Sequence, residues 1–269
     1  MGRRRTRTKS KRCRCLDQHN RPCASSVVSG TLFCEQHQNC PGSPLSGSEP
    51  AYQPELYNGN VKMLDSHNCY AYGMDVRDPK QLTQCDGNPD PKCQPHFHQP
   101  GGTKGLSKIL RTAKGRTCKT VDYLMRQDVP ELQPTTFQAR CPVGTSKIAL
   151  VVDPGEDYHY YREDKDGFWS HKDGGNPVKR FDADGFPIIN PQTASRDYRP
   201  KGSFLNYEDF CGFYCAPRGK QLHLARGGAR SLRNSHQSPS RSTRYAYRGG
   251  ARRSRHQSPS RSTRSRRLH

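Results

Sequence analysis

Between residues 61 and 215 apolar side chains recur at the spacings regular structure requires, whereas in the last fifty residues they nearly vanish. Leu106, Ile109 and Leu110, then Val121, Leu124 and Met125, repeat at three and four, which predicts helices over 105–112 and 117–127. In Ser66-His67-Asn68-Cys69-Tyr70-Ala71-Tyr72 polar residues give way to small and aromatic ones, so a helix is predicted to begin at Cys69. Lys147–Val152 (KIALVV) reads as a buried strand closed by Asp153-Pro154-Gly155. Tyr158–Arg162 and Gly167–His171 read as two more strands, joined by the turn Asp164-Lys165-Asp166-Gly167. That pairing sets residue 161 opposite 169 and 159 opposite 171. A short hairpin is expected around Asp182-Ala183-Asp184-Gly185, and the globular part is expected to end near Phe210–Cys215. Residues 41–60 and 86–104, rich in Pro, Gly and Ser or Asn, read as linker and loop. The expected fold class is α+β: a small antiparallel sheet packed with one to three helices over residues 61–215.

Charge separates the ends from the middle. The net charge is +21, yet residues 1–14 hold eight Lys or Arg and residues 216–269 hold fifteen, neither stretch with an acid. The remaining 22 cations face all 24 acids across residues 15–215, so that stretch is near −2. The C-terminal stretch repeats itself: Arg-Gly-Gly-Ala-Arg at 226–230 and 248–252, His-Gln-Ser-Pro-Ser-Arg-Ser-Thr-Arg at 236–244 and 256–264. With almost no apolar residue to offset ordering entropy, both ends are expected as disordered basic tails. Clustered cations release condensed counterions from a polyanion, so nucleic acid is the expected partner. Arg3, Arg4, Arg5, Arg226, Arg230, Arg241, Arg244, Arg252, Arg253, Arg261, Arg264, Arg266 and Arg267 are the expected contacts. Ser238, Ser240, Ser258 and Ser260 stand in Ser-Pro and Arg-Ser steps that suit kinases, and phosphate there would loosen the grip.

No run of 18 apolar residues exists, so no membrane span is expected, and no secretory h-region is visible. Twelve cysteines without such a signal favour thiols, metal ligation or catalysis over a disulfide framework, unless the setting is an oxidising one such as a virion. Cys15, Cys23, Cys34 and His37 have the spacing of a structural Zn²⁺ module over residues 15–40, with Cys34-x-x-His37 as its knuckle. Cys13 and Cys40 are rival ligands. In an oxidised setting Cys211 and Cys215 have Cys118 and Cys141 as candidate partners. Cys85, Cys93, His96 and His98 are a weaker candidate for a second metal site.

A thiol at a helix N-terminus feels the positive end of the dipole, and a nucleophilic sulfur needs an imidazole partner. His159 follows the buried strand, and the expected pairing lets His171 orient it. His67, His96 and His98 are rival bases. Cysteine at a helix start, histidine on a later strand and a polar residue on the next strand resemble papain-like peptidases and amidases, with the CHAP-type cell-wall amidases nearest in plan. The stretches HNCYAYGM, DYHYYREDKDGFWSHKDGG and FCGFYC also resemble an uncharacterised protein family of large DNA viruses that infect algae and amoebae, over roughly residues 49–215. The resemblance implies Cys69 as nucleophile, His159 as general base, His171 as orienter and backbone amides near Cys69 as oxyanion hole. The expectation is a virion-associated, papain-like cysteine hydrolase with polyanion-binding tails, acting in the virion and in host cytoplasm or nucleus. The alternative is a non-catalytic structural, minor capsid or genome-packaging protein that touches capsid proteins.

Overall fold

The computed structural model describes residues 12–17, 21–29, 31, 33–38, 40, 42–85, 97–219 and 222–225. Its centre is a six-stranded, wholly antiparallel sheet in the order β1-β6-β2-β3-β4-β5. The strands are β1 (Gln133–Thr135), β2 (Thr145–Asp153), β3 (Asp157–Glu163), β4 (Trp169–Lys172), β5 (Val178–Lys179) and β6 (Asp209–Pro217). Five helices accompany it: α1 (Glu55–Asn58), α2 (Val61–Ser66), α3 (Cys69–Gly73), α4 (Pro79–Cys85) and α5 (Cys118–Asp128). The α+β class is therefore as the residue pattern predicts. The 105–112 segment differs: it forms a 3-10 turn over Ser107–Arg111. Only the second helical pattern is long enough, and capped by the Thr117 side chain, to make an α-helix.

Both faces of the sheet are covered, which is why β2 and β3 are buried along nearly their whole length. Ile148, Leu150, Val152, Tyr158, Tyr160 and Tyr214 meet Tyr70 of α3 and Leu124 and Met125 of α5 on one face. Ala149, Val151, Tyr161, Trp169 and Phe213 meet Leu16, Ile188 and Tyr207 on the other. α3 lies so close to β3 that a Cβ at Gly73 would sit 3.0 Å from Tyr160 Cβ. Among the described residues three disulfides add to this packing: Cys15–Cys40, Cys118–Cys211 and Cys141–Cys215. The expectation of reduced thiols is corrected for these six cysteines. β6 directs its two to opposite faces because its register against β2 shifts by one residue at Cys211, between Phe210 and Gly212. The bulge turns Cys211 towards α5, while Cys215 meets Cys141 across the sheet.

The stretch 42–60, expected as a linker, is a strap packed on the sheet. The Glu49 carboxylate accepts hydrogen bonds from the Ser46 and Gly47 amides at 2.6 and 2.9 Å, and Tyr57 is buried. Lys147 Nζ, itself buried, donates to Ser43 Oγ (2.6 Å) and the Pro44 carbonyl (2.9 Å) and lies 3.9 Å from Glu163 Oε2. Burial, opposed by Lys147, pushes the Glu163 carboxyl up to about 7. A carboxyl raised on folding gives stability that is full below its unfolded value and lost as pH rises through the folded value. Glu163→Gln is therefore expected to gain on the wild type between pH 4.5 and 8, by on the order of 3 kcal/mol. Urea-unfolding midpoints that diverge in that window are the check. A constant difference would count against it.

The expected hairpin at 182–185 is present, with Gly185 N donating to Asp182 O at 3.0 Å. The chain packs beyond Cys215: Leu224 is buried, and Gln99 N donates to the Ala225 carbonyl at 3.1 Å. No helix among the described residues is long and apolar enough to cross a membrane.

Candidate functional site

The helix expected at Cys69 begins there. Asn68 caps α3 by accepting from Ala71 N (3.2 Å) and donates to the His98 carbonyl (2.9 Å), which leaves Cys69 as the first helical residue. It opens onto a cavity of about 540 Å³ at the start of β3, whose walls include Cys69, Gln99, Asp157, His159, Asp173 and Tyr207. The β3–β4 register places His171 opposite Tyr161 and Trp169 opposite Glu163. The expected pairing of 159 with 171 is thus out by two residues, because residues 164–168 lie between the paired Glu163 and Trp169, where that pairing leaves only 164–166. An even slip keeps every side chain on its face, so His159 and His171 still meet, now diagonally, with His159 Nε2 2.8 Å from His171 Nδ1.

The two imidazoles and Asp173 share one hydrogen-bonding cluster. His171 Nε2 lies 3.1 Å from the Phe181 carbonyl, which can only accept, so the proton of His171 is on Nε2. When His171 carries a proton on Nδ1 as well, it donates to Asp173 Oδ1 at 3.1 Å; in the neutral pair its Nδ1 accepts from His159 Nε2–H, which is also 3.3 Å from Asp173 Oδ1. The lone pair of His159 is left on Nδ1. Asp173 was not anticipated, although alternation from His171 would have found it two positions on, on the same face. Its carboxyl would rise on burial, but His171, His159 and Lys179 outweigh that and hold it well below the usual carboxylate range. Gln99 and Tyr207 were also missed, being remote in sequence. The Tyr158 hydroxyl donates to Gln99 Oε1, and the Tyr207 hydroxyl donates to Asp157 Oδ2 at 2.8 Å.

The protonation of the cysteine is a correction. Burial first, then the Asp157 and Asp173 carboxylates, pushes the Cys69 thiol up, so a five-residue helix dipole does not leave it ionised. Burial, against the pull of Asp173, takes His159 down to about 3. At rest the sulfur keeps its proton and donates to the Tyr158 carbonyl at 3.8 Å. Strand alternation places His159 on the face away from α3; both side chains line the cavity, and no hydrogen bond joins the sulfur to the imidazole. Two of the rival bases are occupied elsewhere. Asp78 N donates to His67 Nε2 at 2.9 Å, and His98 Nε2 lies 3.5 Å from Asp78 Oδ2. His96 and Cys93 lie outside the described residues.

The N-terminal cysteines gather as predicted, with one exchange. Cys13, Cys23, Cys34 and His37 place one ligand atom each within 4.8 Å of the others and can hold a metal ion. Cys15 is corrected out of the set by its disulfide to Cys40. Cys13 and Cys15 lie on a segment bridged to 22–26, yet only Cys13 joins the group that can hold a metal. Arg14 between them reaches back into the main body, 2.8 Å from Asp182 Oδ2 and 2.9 Å from Asp184 Oδ2. It also donates to the Thr193 carbonyl at 2.7 Å. Those aspartates serve an ion pair, as Asp164 and Asp166 serve Arg180.

Every arginine expected to hold nucleic acid, from Arg3 to Arg5 and from Arg226 to Arg267, lies outside the described residues. So do Ser238, Ser240, Ser258 and Ser260.

No protein-family model matches the chain. No solved structure matches it. Over 163 residues it is 31% identical to the Insoluble matrix shell protein 1 of Ruditapes philippinarum, an alignment that covers 60% of this chain and 86% of that protein. On that coverage and identity, the chain belongs to the same family as this molluscan shell protein.

Proposed function

We propose that the protein is a papain-like cysteine hydrolase of amide bonds, carried to its place of action by polyanion-binding ends. One observation carries the reading: Cys69, at the start of a helix, and His159, hydrogen-bonded to His171, line the same cavity. The sulfur attacks the carbonyl carbon of an amide while its proton passes to His159 Nδ1. Asp173 stabilises the imidazolium so formed. The C–N bond then breaks, the imidazolium protonates the departing amine, and water hydrolyses the thioester by the same relay. Gln99, its oxygen held by Tyr158, has an amide N–H₂ left for the oxyanion beside the backbone N–H groups near Cys69. Both groups are neutral at rest, and both shifts oppose a resting thiolate–imidazolium pair, so in this reading the proton passes only during attack.

The Cys13, Cys23, Cys34 and His37 group takes structural zinc in this reading. A tetrahedral Zn²⁺ with bonds of about 2.3 Å to sulfur and about 2.0 Å to nitrogen sets its ligands about 3.5 to 3.8 Å apart. The sulfur–sulfur and sulfur–nitrogen separations of 3.9, 3.6 and 3.3 Å fit it. The cation-only ends add attachment to a polyanion, nucleic acid foremost, and a virion with its capsid proteins is the setting that the viral resemblance suggests.

A second reading is a non-catalytic, disulfide-braced scaffold. The three disulfides favour it, since they persist in oxidising compartments, and so does kinship with a shell matrix protein. A thiol-directed, amide-mimicking activity probe separates the two. In folded protein with its disulfides intact, labelling of Cys69 that vanishes in Cys69→Ala and in His159→Gln supports the hydrolase. Absence of labelling leaves the scaffold.

A further inference from the structure

The nitrogen and oxygen atoms that hold the His159 relay also outline a metal-coordination face. His159 Nε2, His171 Nδ1 and Asp173 Oδ1 form a triangle with edges of 2.8, 3.1 and 3.3 Å. Three ligands at about 2.1 Å from one ion and at right angles to each other lie about 3.0 Å apart, whereas tetrahedral bonds of that length spread them to about 3.4 Å. The triangle matches one face of an octahedron.

The surroundings are those of a ligand set. A metal-bound histidine commonly donates its other N–H to a backbone carbonyl, as His171 Nε2 does to Phe181. A ligating carboxylate is commonly held by a further partner, as Asp173 is by Lys179 through its other oxygen. Both imidazoles are buried, while the Asp173 side chain is 26% exposed and lines the cavity, which gives an ion a way in and leaves the opposite octahedral face to water.

The geometry points to a second metal site in this chain: His159, His171 and Asp173 bind a divalent first-row transition ion facially, and the ion switches off the Cys69 site. The second clause rests on the hydrolase reading; the binding itself does not. The switch is a tautomer change that needs no outside reagent. Coordination through Nε2 requires the His159 proton to move to Nδ1, the atom that would otherwise accept the thiol proton. An ion-bound His159 cannot act as base towards Cys69, and the ion shields Asp173 from the imidazolium it would stabilise.

The test uses full-length protein with its disulfides intact, titrated with Co²⁺. Cobalt bound to the three thiolates near the N-terminus gives intense sulfur-to-metal charge-transfer absorption, and cobalt on two imidazoles and a carboxylate does not. Bound cobalt, counted by elemental analysis after gel filtration, is expected to exceed the charge-transfer sites by one equivalent. Asp173→Asn and, separately, His171→Gln should lose that equivalent with the charge-transfer band and near-ultraviolet circular dichroism unchanged. Equal cobalt content in wild type and Asp173→Asn, both folded, overturns the site. Probe labelling of Cys69 is read in parallel. Labelling that falls at least ten-fold with cobalt in wild type, in step with occupancy of the equivalent that Asp173→Asn loses, supports the switch, and labelling indifferent to bound cobalt overturns it. Absence of labelling with and without metal removes the hydrolase reading and the switch with it, while the cobalt count still decides the site.

Discussion

His159→Gln is expected to lower kcat/KM for amide hydrolysis by about 10³ to 10⁴-fold, the range over which a positioned acid–base group acts. Glutamine fills much of the same space but can neither take the thiol proton nor return one to the departing amine. The loss should fall mainly on kcat, since glutamine keeps much of the wall that His159 provides. His171→Gln should cost less, about 10²-fold, because it disturbs the tautomer and leaves the base in place. The pH profile is the sharper check. Burial takes His159 down to about 3, so the acid limb of kcat/KM should lie near that value and not near the 6.5 of a free imidazole. A profile that collapses between pH 7 and 6 would mean that His159 is not the base, whatever the mutants show.

The second large effect concerns the two disulfides of β6. Cys118–Cys211 and Cys141–Cys215 close sequence separations of 93 and 74 residues. Loops of that length restrict the unfolded chain by roughly 4 to 5 kcal/mol each on the chain-entropy model. The segments overlap between 141 and 211, so the second crosslink acts on a chain already restricted by the first. The double replacement Cys118→Ala/Cys211→Ala should therefore cost about 4 kcal/mol, and removing both pairs should cost less than twice that. Stability of this order is a large fraction of what a domain possesses, so the protein lacking both is expected to melt well below the parent in urea. A change of less than about 1 kcal/mol on losing either pair would show that packing alone holds β6.

Much of the fold was legible because local patterns and long-range packing agreed. β2 is a run of apolar residues because helices cover one face and the 181–210 segment the other. α5 shows its inward stripe of Val121, Leu124 and Met125. The start of α3 was marked by Asn68, a good capping residue, before Cys69. What was not legible depended on contacts distant in the chain. The strap at 42–60 has a linker's composition, and its order comes from Glu49 and from Lys147, a hundred residues away. The β3–β4 slip of two residues was invisible because it leaves every side chain on the expected face. The site was half visible: His159 and His171 stood out, and Cys13, Cys23, Cys34 and His37 lay inside the cluster that was recognised. Asp173, Gln99 and Tyr207 carried no local signal strong enough to separate them from turn and core residues. Which of Cys13 and Cys15 joins the group that can hold a metal depends on the disulfide of Cys15 to Cys40, a pairing with no local signal.

The N-terminal segment is constrained in how it can vary. Cys13, Arg14 and Cys15 are consecutive, yet they lead to three destinations: a metal-ligating group, the aspartates at 182 and 184, and a crosslink to Cys40. Exchanging Arg14 for another residue removes one destination and leaves two. Inserting or deleting one residue between the cysteines changes the spacing that lets one sulfur join the metal-ligating group while the other is bonded to Cys40, and it draws the guanidinium away from its aspartates. Variation among relatives of this protein should therefore be free in kind but fixed in length between these two cysteines, a frame constraint that position-by-position similarity would not reveal.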